Sequence, residues 1–125
     1  MYVHEQTAPV ATPIPGVAHA TWHGAPTGGR ELSVWRQRLA PAGATPPHSH
    51  DCEEVVMCEA GCGELHVHGA VHPFGAGQML VLPRGVLHQI FNVGAGPLEM
   101  LAVLPATPVG VFLPDGTPLE LPWAS

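Results

Sequence analysis

Lysine is absent from this 125-residue chain, and arginine occurs only at Arg30, Arg36, Arg38 and Arg84. Neutralising nucleic-acid phosphates takes clustered cations, so no nucleic-acid partner is expected. Charge of either sign is sparse: Asp, Glu, Lys and Arg make up 11% of the residues, the formal net charge is -6 and the pI lies near 5.8. Long hydrophobic runs are missing too, since Pro, Gly or His cuts every apolar stretch short of the ~20 residues a membrane-spanning helix needs. No membrane partner is expected. Met1 to Val10 lacks a basic segment followed by an apolar one, so it does not read as a secretory signal, and a cytoplasmic location is the expectation. Cysteine is scarce as well. Cys52, Cys58 and Cys62 are odd in number and never spaced C-x-x-C, which fits neither a disulfide framework nor a four-thiolate zinc site, and they read as reduced, buried thiols.

Glycine and proline are plentiful, with 15 of each. They punctuate the chain every few positions and leave almost no window long enough for a helix. Short strands remain: Glu31 to Ala40, Cys52 to Glu59, Glu64 to His68, Gln78 to Leu82, Leu87 to Val93 and Leu98 to Leu104, each bounded by Gly or Pro. Strands of this length and spacing predict an all-β, antiparallel sandwich or barrel. The length suits one domain with a single core, which needs neither a disulfide nor a metal merely to fold.

Residues 1–30 read as an N-terminal arm with an outer edge strand near Val17 to Trp22, residues 31–113 as the barrel core, and residues 114–125 as a tail. Pro114, Pro118 and Pro122 bar that tail from mid-sheet, so it should pack on the barrel or on a second subunit. Sheet edges invite pairing, and a homodimer is the expected assembly.

The stretch Pro-Pro-His-Ser-His-Asp-Cys-Glu-Glu-Val-Val, residues 46–56, carries the chemistry. Alternate residues of a strand share a face, so His48, His50, Cys52, Glu54 and Val56 would line one side, with Asp51 and Glu53 on the other. His88 follows a Pro83-x-Gly85 turn and would complete a set of three imidazoles and one carboxylate. Such ligands suit one divalent transition-metal ion: Fe, Mn, Ni, Co, Cu or Zn. Four protein ligands on an octahedral ion leave two adjacent open positions, and open positions make a site catalytic. His66 and His68 form a second His-x-His but flank the apolar Leu65 and Val67, so they read as solvent-facing. Trp35, Gln37, Cys52, Met79, Gln89, Phe91 and Met100 are candidates for a pocket wall, and Asn92 reads as fixing a turn or a backbone group.

At these residues the chain resembles the cupin superfamily. Gly43, His48, His50, Glu54 and Gly61 match the first signature segment, with four residues between Gly43 and His48 where the family has five. Gly77, Pro83, Gly85, His88 and Asn92 match the second at every spacing. The resemblance implies a jelly-roll β-barrel with metal held by His48, His50, Glu54 and His88. It also implies, first, a dioxygenase-like oxidoreductase acting on a small organic substrate, with Glu54 as ligand and base. Two alternatives stay open: non-redox isomerase, cyclase or lyase chemistry, and a module that binds a small molecule without turning it over. Tyr2 is the only tyrosine and lysine is lacking, so a separate proton-transfer group is hard to find.

Overall fold

The computed structural model describes residues 1–125 and is almost entirely strand. In chain order the strands are β1 (Val10–Ala11), β2 (Val17–His23), β3 (Ser33–Leu39), β4 (Glu54–Ala60), β5 (Cys62–Val67), β6 (Ala70–Gly75), β7 (Met79–Leu82), β8 (His88–Asn92) and β9 (Leu98–Leu104), with one 3-10 turn at Ala25–Thr27. They form two antiparallel sheets, one of six strands in the order β1-β2-β3-β9-β4-β7 and one of three in the order β6-β5-β8. This is the all-β jelly-roll arrangement.

Alternation along the strands decides what lies between the sheets. In β9, Leu98, Met100, Ala102 and Leu104 are buried while Glu99, Leu101 and Val103 lie on the outer face. In β4 the inward residues are Glu54, Val56 and Cys58, and in β8 they are His88, Ile90 and Asn92. Each fully buried Leu contributes roughly 1.5–3 kcal/mol. The polar Glu54 and His88 therefore sit inside because their strand parity puts them there, at one end of an otherwise apolar interior.

Two tight connections hold this end together. Gly85 takes φ +78, where glycine alone is unstrained, and its N–H donates to the carbonyl of His50 at 2.9 Å. The turn Pro83–Val86 thus ties the second signature segment to the first. Asn92 is 4% exposed, and its side-chain amide donates to the carbonyls of Leu39 and Gly96 while its oxygen accepts from Gly94 N–H. It fixes backbone, as its sequence context indicates.

The structure corrects two expectations about the elements and adds one strand that the sequence did not signal. Residues 46–56 are not one continuous strand: His48 and Ser49 bridge to His88 and Phe112, the chain bends at Asp51–Cys52, and only from Glu54 does it enter the six-stranded sheet. The segment crosses from one sheet to the other. The strand at Val17 is not an outer edge, because β1 pairs along it. Strand β6 carries no alternation of its own and is recruited by pairing with β5, with Phe74 packed over Gly63.

Candidate metal centre

His48, His50 and His88 have ring nitrogens within 4.8 Å of one another. His48 and His88 face each other across a bridge in which each backbone N–H bonds the other's carbonyl, at 3.0 and 2.9 Å. His50 follows two residues later on the same crossing segment, and Glu54 opens β4 from the opposite sheet. The carboxylate Oε1 of Glu54 lies 3.5 Å from His50 Nε2 and 3.3 Å from His88 Nε2. All but His48 are buried, and His48 is half-buried.

The tautomers follow from the outer nitrogens. Each Nδ1–H donates to a backbone carbonyl: His48 to Pro46 at 2.6 Å, His50 to Gly110 at 2.9 Å and His88 to Val86 at 3.0 Å. In the neutral rings Nε2 is then a lone pair. For His50 and His88 that lone pair faces another acceptor, the Glu54 carboxylate, with no proton between them. His50 Nε2 is buried and has no hydrogen-bond partner. Acceptors gathered around a buried point call for a cation, and backbone carbonyls that orient imidazoles from behind are the usual support of a metal ligand set. The four side chains fit a divalent transition-metal ion.

The electrostatics agree. Burial alone would raise Glu54, but the neighbouring imidazoles of His50 and His88 outweigh it and hold the carboxyl at about 2. Burial pushes His48 down to about 4, and His88 adds to the push. Burial also works against the charged form of His50, yet Glu54 lifts this ring above its ordinary value.

The cluster opens into a small cavity of about 40 Å³. Trp35, Gln37 and Met100 line it. The other wall candidates do not. Met79 is 57% exposed, because β7 turns Leu80 and Leu82 inward and Met79 outward. Phe91 alternates with the buried Ile90 and Asn92, and its ring lies 4.3 Å from that of His66 on the outside of the small sheet. Cys52 falls at the bend that breaks the alternation and packs half-buried beside the core, and Cys62 is exposed at the start of β5, so of the three thiols expected to be buried only Cys58 is. Gln89 turns away to donate to the Thr45 carbonyl at 2.9 Å. Asp51 and Glu53 are exposed, and His68 occupies a turn at φ 52.

Much of the wall comes from segments outside the signatures. Ile14 and Val17 arrive from the N-terminal part, and Leu119, Leu121 and Trp123 from the C-terminal tail. No motif marks them. The one visible signal is that the tail's apolar residues alternate between its prolines, so that one side can face inward.

A straight chain of hydrogen bonds locks this tail. Thr21 Oγ1–H donates to the Ala124 carbonyl at 2.7 Å, so the hydroxyl oxygen must accept from His19 Nε2–H, also at 2.7 Å. His19 Nδ1 is left as an acceptor, filled by the amide of Gln37 at 3.1 Å. The imidazole stacks on Trp123 with ring centroids 3.9 Å apart, and burial lowers it to about 4.

Known proteins share this frame. Auxin-binding protein 1 of Arabidopsis thaliana is 32% identical over 109 residues, covering 79% of this chain and 55% of that protein. Germin-like protein 1-2 of Oryza sativa subsp. japonica is 33% identical over 89 residues, covering 66% and 40%. The chain spans about half the length of the curated relatives it matches. Among solved structures, oxalate oxidase in complex with the substrate analogue glycolate superimposes with a TM-score of 0.74 at 27% identity, over 90% of this chain and 63% of that one. The polyketide cyclase RemF from Streptomyces resistomycificus shares the fold, with a TM-score of 0.73 at 24% identity over 87% and 83% of the two chains. The cupin domain pattern matches residues 35–104, more than half of the sequence, and the chain belongs to the cupin domain family.

Proposed function

We propose that the protein binds one divalent transition-metal ion through His48, His50, Glu54 and His88, and acts as a dioxygenase-like oxidoreductase on a small, weakly polar organic molecule. The observation that carries this reading is the convergence of Nε2 lone pairs on the Glu54 carboxylate inside an apolar cavity. When bound, the ion supplies Lewis acidity and, if redox-active, an electron path to dioxygen. The chain's own side chains do the rest. The carbonyls of Pro46, Gly110 and Val86 hold the imidazoles in register, Val56, Ile90 and Met100 exclude water, and Gln37 offers a polar contact.

Every titratable group that lines the cavity is one of the four proposed ligands. Proton transfer would fall to a ligand itself, which speaks against lyase or isomerase chemistry and leaves redox or pure binding. Pure binding is the second reading, favoured by 32% identity to proteins named for binding auxin. Elemental analysis of protein purified without added metal, followed by oxygen uptake with diketones, flavonoids and thiols, decides. Iron, manganese, nickel or copper near one per chain with substrate-dependent uptake is the expected outcome. Zinc with no uptake and a ligand recovered unchanged would establish the binding module, and full turnover with zinc under nitrogen would establish non-redox chemistry.

We also propose a homodimer, supported by the outer face of the six-stranded sheet. There Val34, Val103, Val55 and Val81 are register neighbours in one row, and Leu101, Met57 and Met79 in the next. The free thiols of Cys52, Cys58 and Cys62 support a reducing, cytoplasmic setting.

A further inference from the structure

Five buried side-chain polar atoms lack a hydrogen-bond partner: Trp35 Nε1, Arg36 Nη1, His50 Nε2, Glu99 Oε2 and Trp123 Nε1. Arg36 and Glu99 belong to one ion-paired network on the outer sheet face, at 3.5 Å from each other, with Glu59 beside Arg36 at 2.5 Å. The other three all belong to residues lining the metal cavity. His50 Nε2 is accounted for by the metal. Two indole N–H donors remain, on rings packed edge to face with centroids 5.6 Å apart, and the Trp35 ring lies 6.4 Å from that of His50. A buried donor left unmet is costly, because nothing replaces the water it gave up. Both donors belong to residues that line the cavity beside the candidate metal centre, where an acceptor could meet them.

We propose that Trp35 and Trp123 form a hydrogen-bonding subsite for the ligand, whose two N–H groups bind an oxygen acceptor carried on an apolar body. The ligand class follows from the lining. No arginine or lysine faces the cavity, so phosphates and other multiply charged groups have nothing to neutralise them. Ile14, Leu119 and Leu121 surround the body, and the indoles meet a single carboxylate, carbonyl or phenolate oxygen. Trp123 reaches the cavity only because Ala124, Ser125 and the His19 stack anchor the tail, so the tail sets ligand length. This inference rests on the metal-centre reading only for the other end of the ligand.

The third tryptophan is a built-in control, since Trp22 Nε1–H already donates to Thr7 at 2.8 Å away from the cavity. In a ¹H–¹⁵N spectrum of the zinc-loaded protein, the three indole signals report separately. Titration with benzoate should move the Trp35 and Trp123 Nε1–H signals downfield and leave Trp22 in place, whereas toluene, which has no acceptor, should move none downfield. Trp35→Phe and Trp123→Phe keep a ring but remove the N–H, and each should weaken benzoate about tenfold while toluene binding and zinc affinity by chelator competition stay unchanged. Benzoate that fails to bind at millimolar concentration, or binds the Phe variants as tightly as the parent, would overturn the subsite. Zinc that fails to bind would overturn the metal reading alone, because the indole signals are equally readable with benzamide in the metal-free protein.

Discussion

Protonation of His19 should loosen the whole C-terminal tail, and the size of the effect can be worked out. In the folded chain this imidazole is neutral with Nδ1 accepting from Gln37, and a second proton would set N–H against N–H. Burial lowers its folded pKa to about 4 from an ordinary 6.5. Because the folded value is depressed, the unfolded chain takes up the proton first as pH falls. Stability present above 6.5 is therefore lost progressively down to about 4. Near pH 5 the unfolded ring is about 30-fold protonated and the folded ring barely so, which corresponds to roughly 2 kcal/mol lost relative to pH 7.5. Urea unfolding at these two pH values, with chelator present throughout, measures the loss in the parent. His19→Phe keeps the stack on Trp123 and His19→Gln keeps hydrogen bonding, and neither titrates. Both should lose roughly 2 kcal/mol less than the parent between the two pH values, whatever their starting stability. His48 titrates identically in all three proteins and cancels. Variants that keep the parent's full pH slope would refute the tail lock.

Further outcomes follow from the same geometry. Saturating zinc or cobalt at a hundredfold excess over Kd should stabilise the parent by about 2.7 kcal/mol, visible as a higher Tm in differential scanning fluorimetry, and His88→Ala should abolish the shift. Glu54→Gln keeps the volume but removes the only carboxylate, so metal affinity by chelator competition should fall at least about tenfold with little change in circular dichroism. Gly85→Val forces a side chain into φ +78 and should cost about 1–3 kcal/mol in urea unfolding, with weaker metal binding because Gly85 holds the His50 carbonyl. Leu98→Ala, at a position with 0% exposure between the sheets, should cost about 2–5 kcal/mol in the same assay. Light scattering should give twice the monomer mass, and Val55→Glu with Met57→Lys on the outer face should return it to monomer mass.

The candidate metal-site residues were legible because chemistry and spacing coincide in short windows. His48, His50 and Glu54 stand within seven residues, and the Pro83-x-Gly85 turn announces His88. Strands β3, β7, β8 and β9 were legible for a similarly local reason, since each is bounded by Gly or Pro and its inward residues alternate. Parity applied across residues 48–56 put Cys52 on the ligand face, and failed because alternation holds only within one unbroken strand. A bend at Asp51–Cys52 resets it, yet Glu54 still meets the histidines because it arrives from the opposite sheet. Met79 and Phe91 are apolar residues on outward faces, and hydrophobicity alone does not say which side of a strand is the inside.

By itself, the sequence determined the all-β class and the family and singled out His48, His50, Glu54 and His88 as candidate ligands, because each of these is written in residues close together along the chain. The tertiary structure alone decided that Glu54 meets His50 and His88 across two sheets. It alone carried Ile14 and Trp123 from near the two chain ends into the cavity wall, and left two indole N–H groups there without partners. Those contacts depend on which elements pack together over long sequence separations, and no local pattern of residues encodes such a meeting.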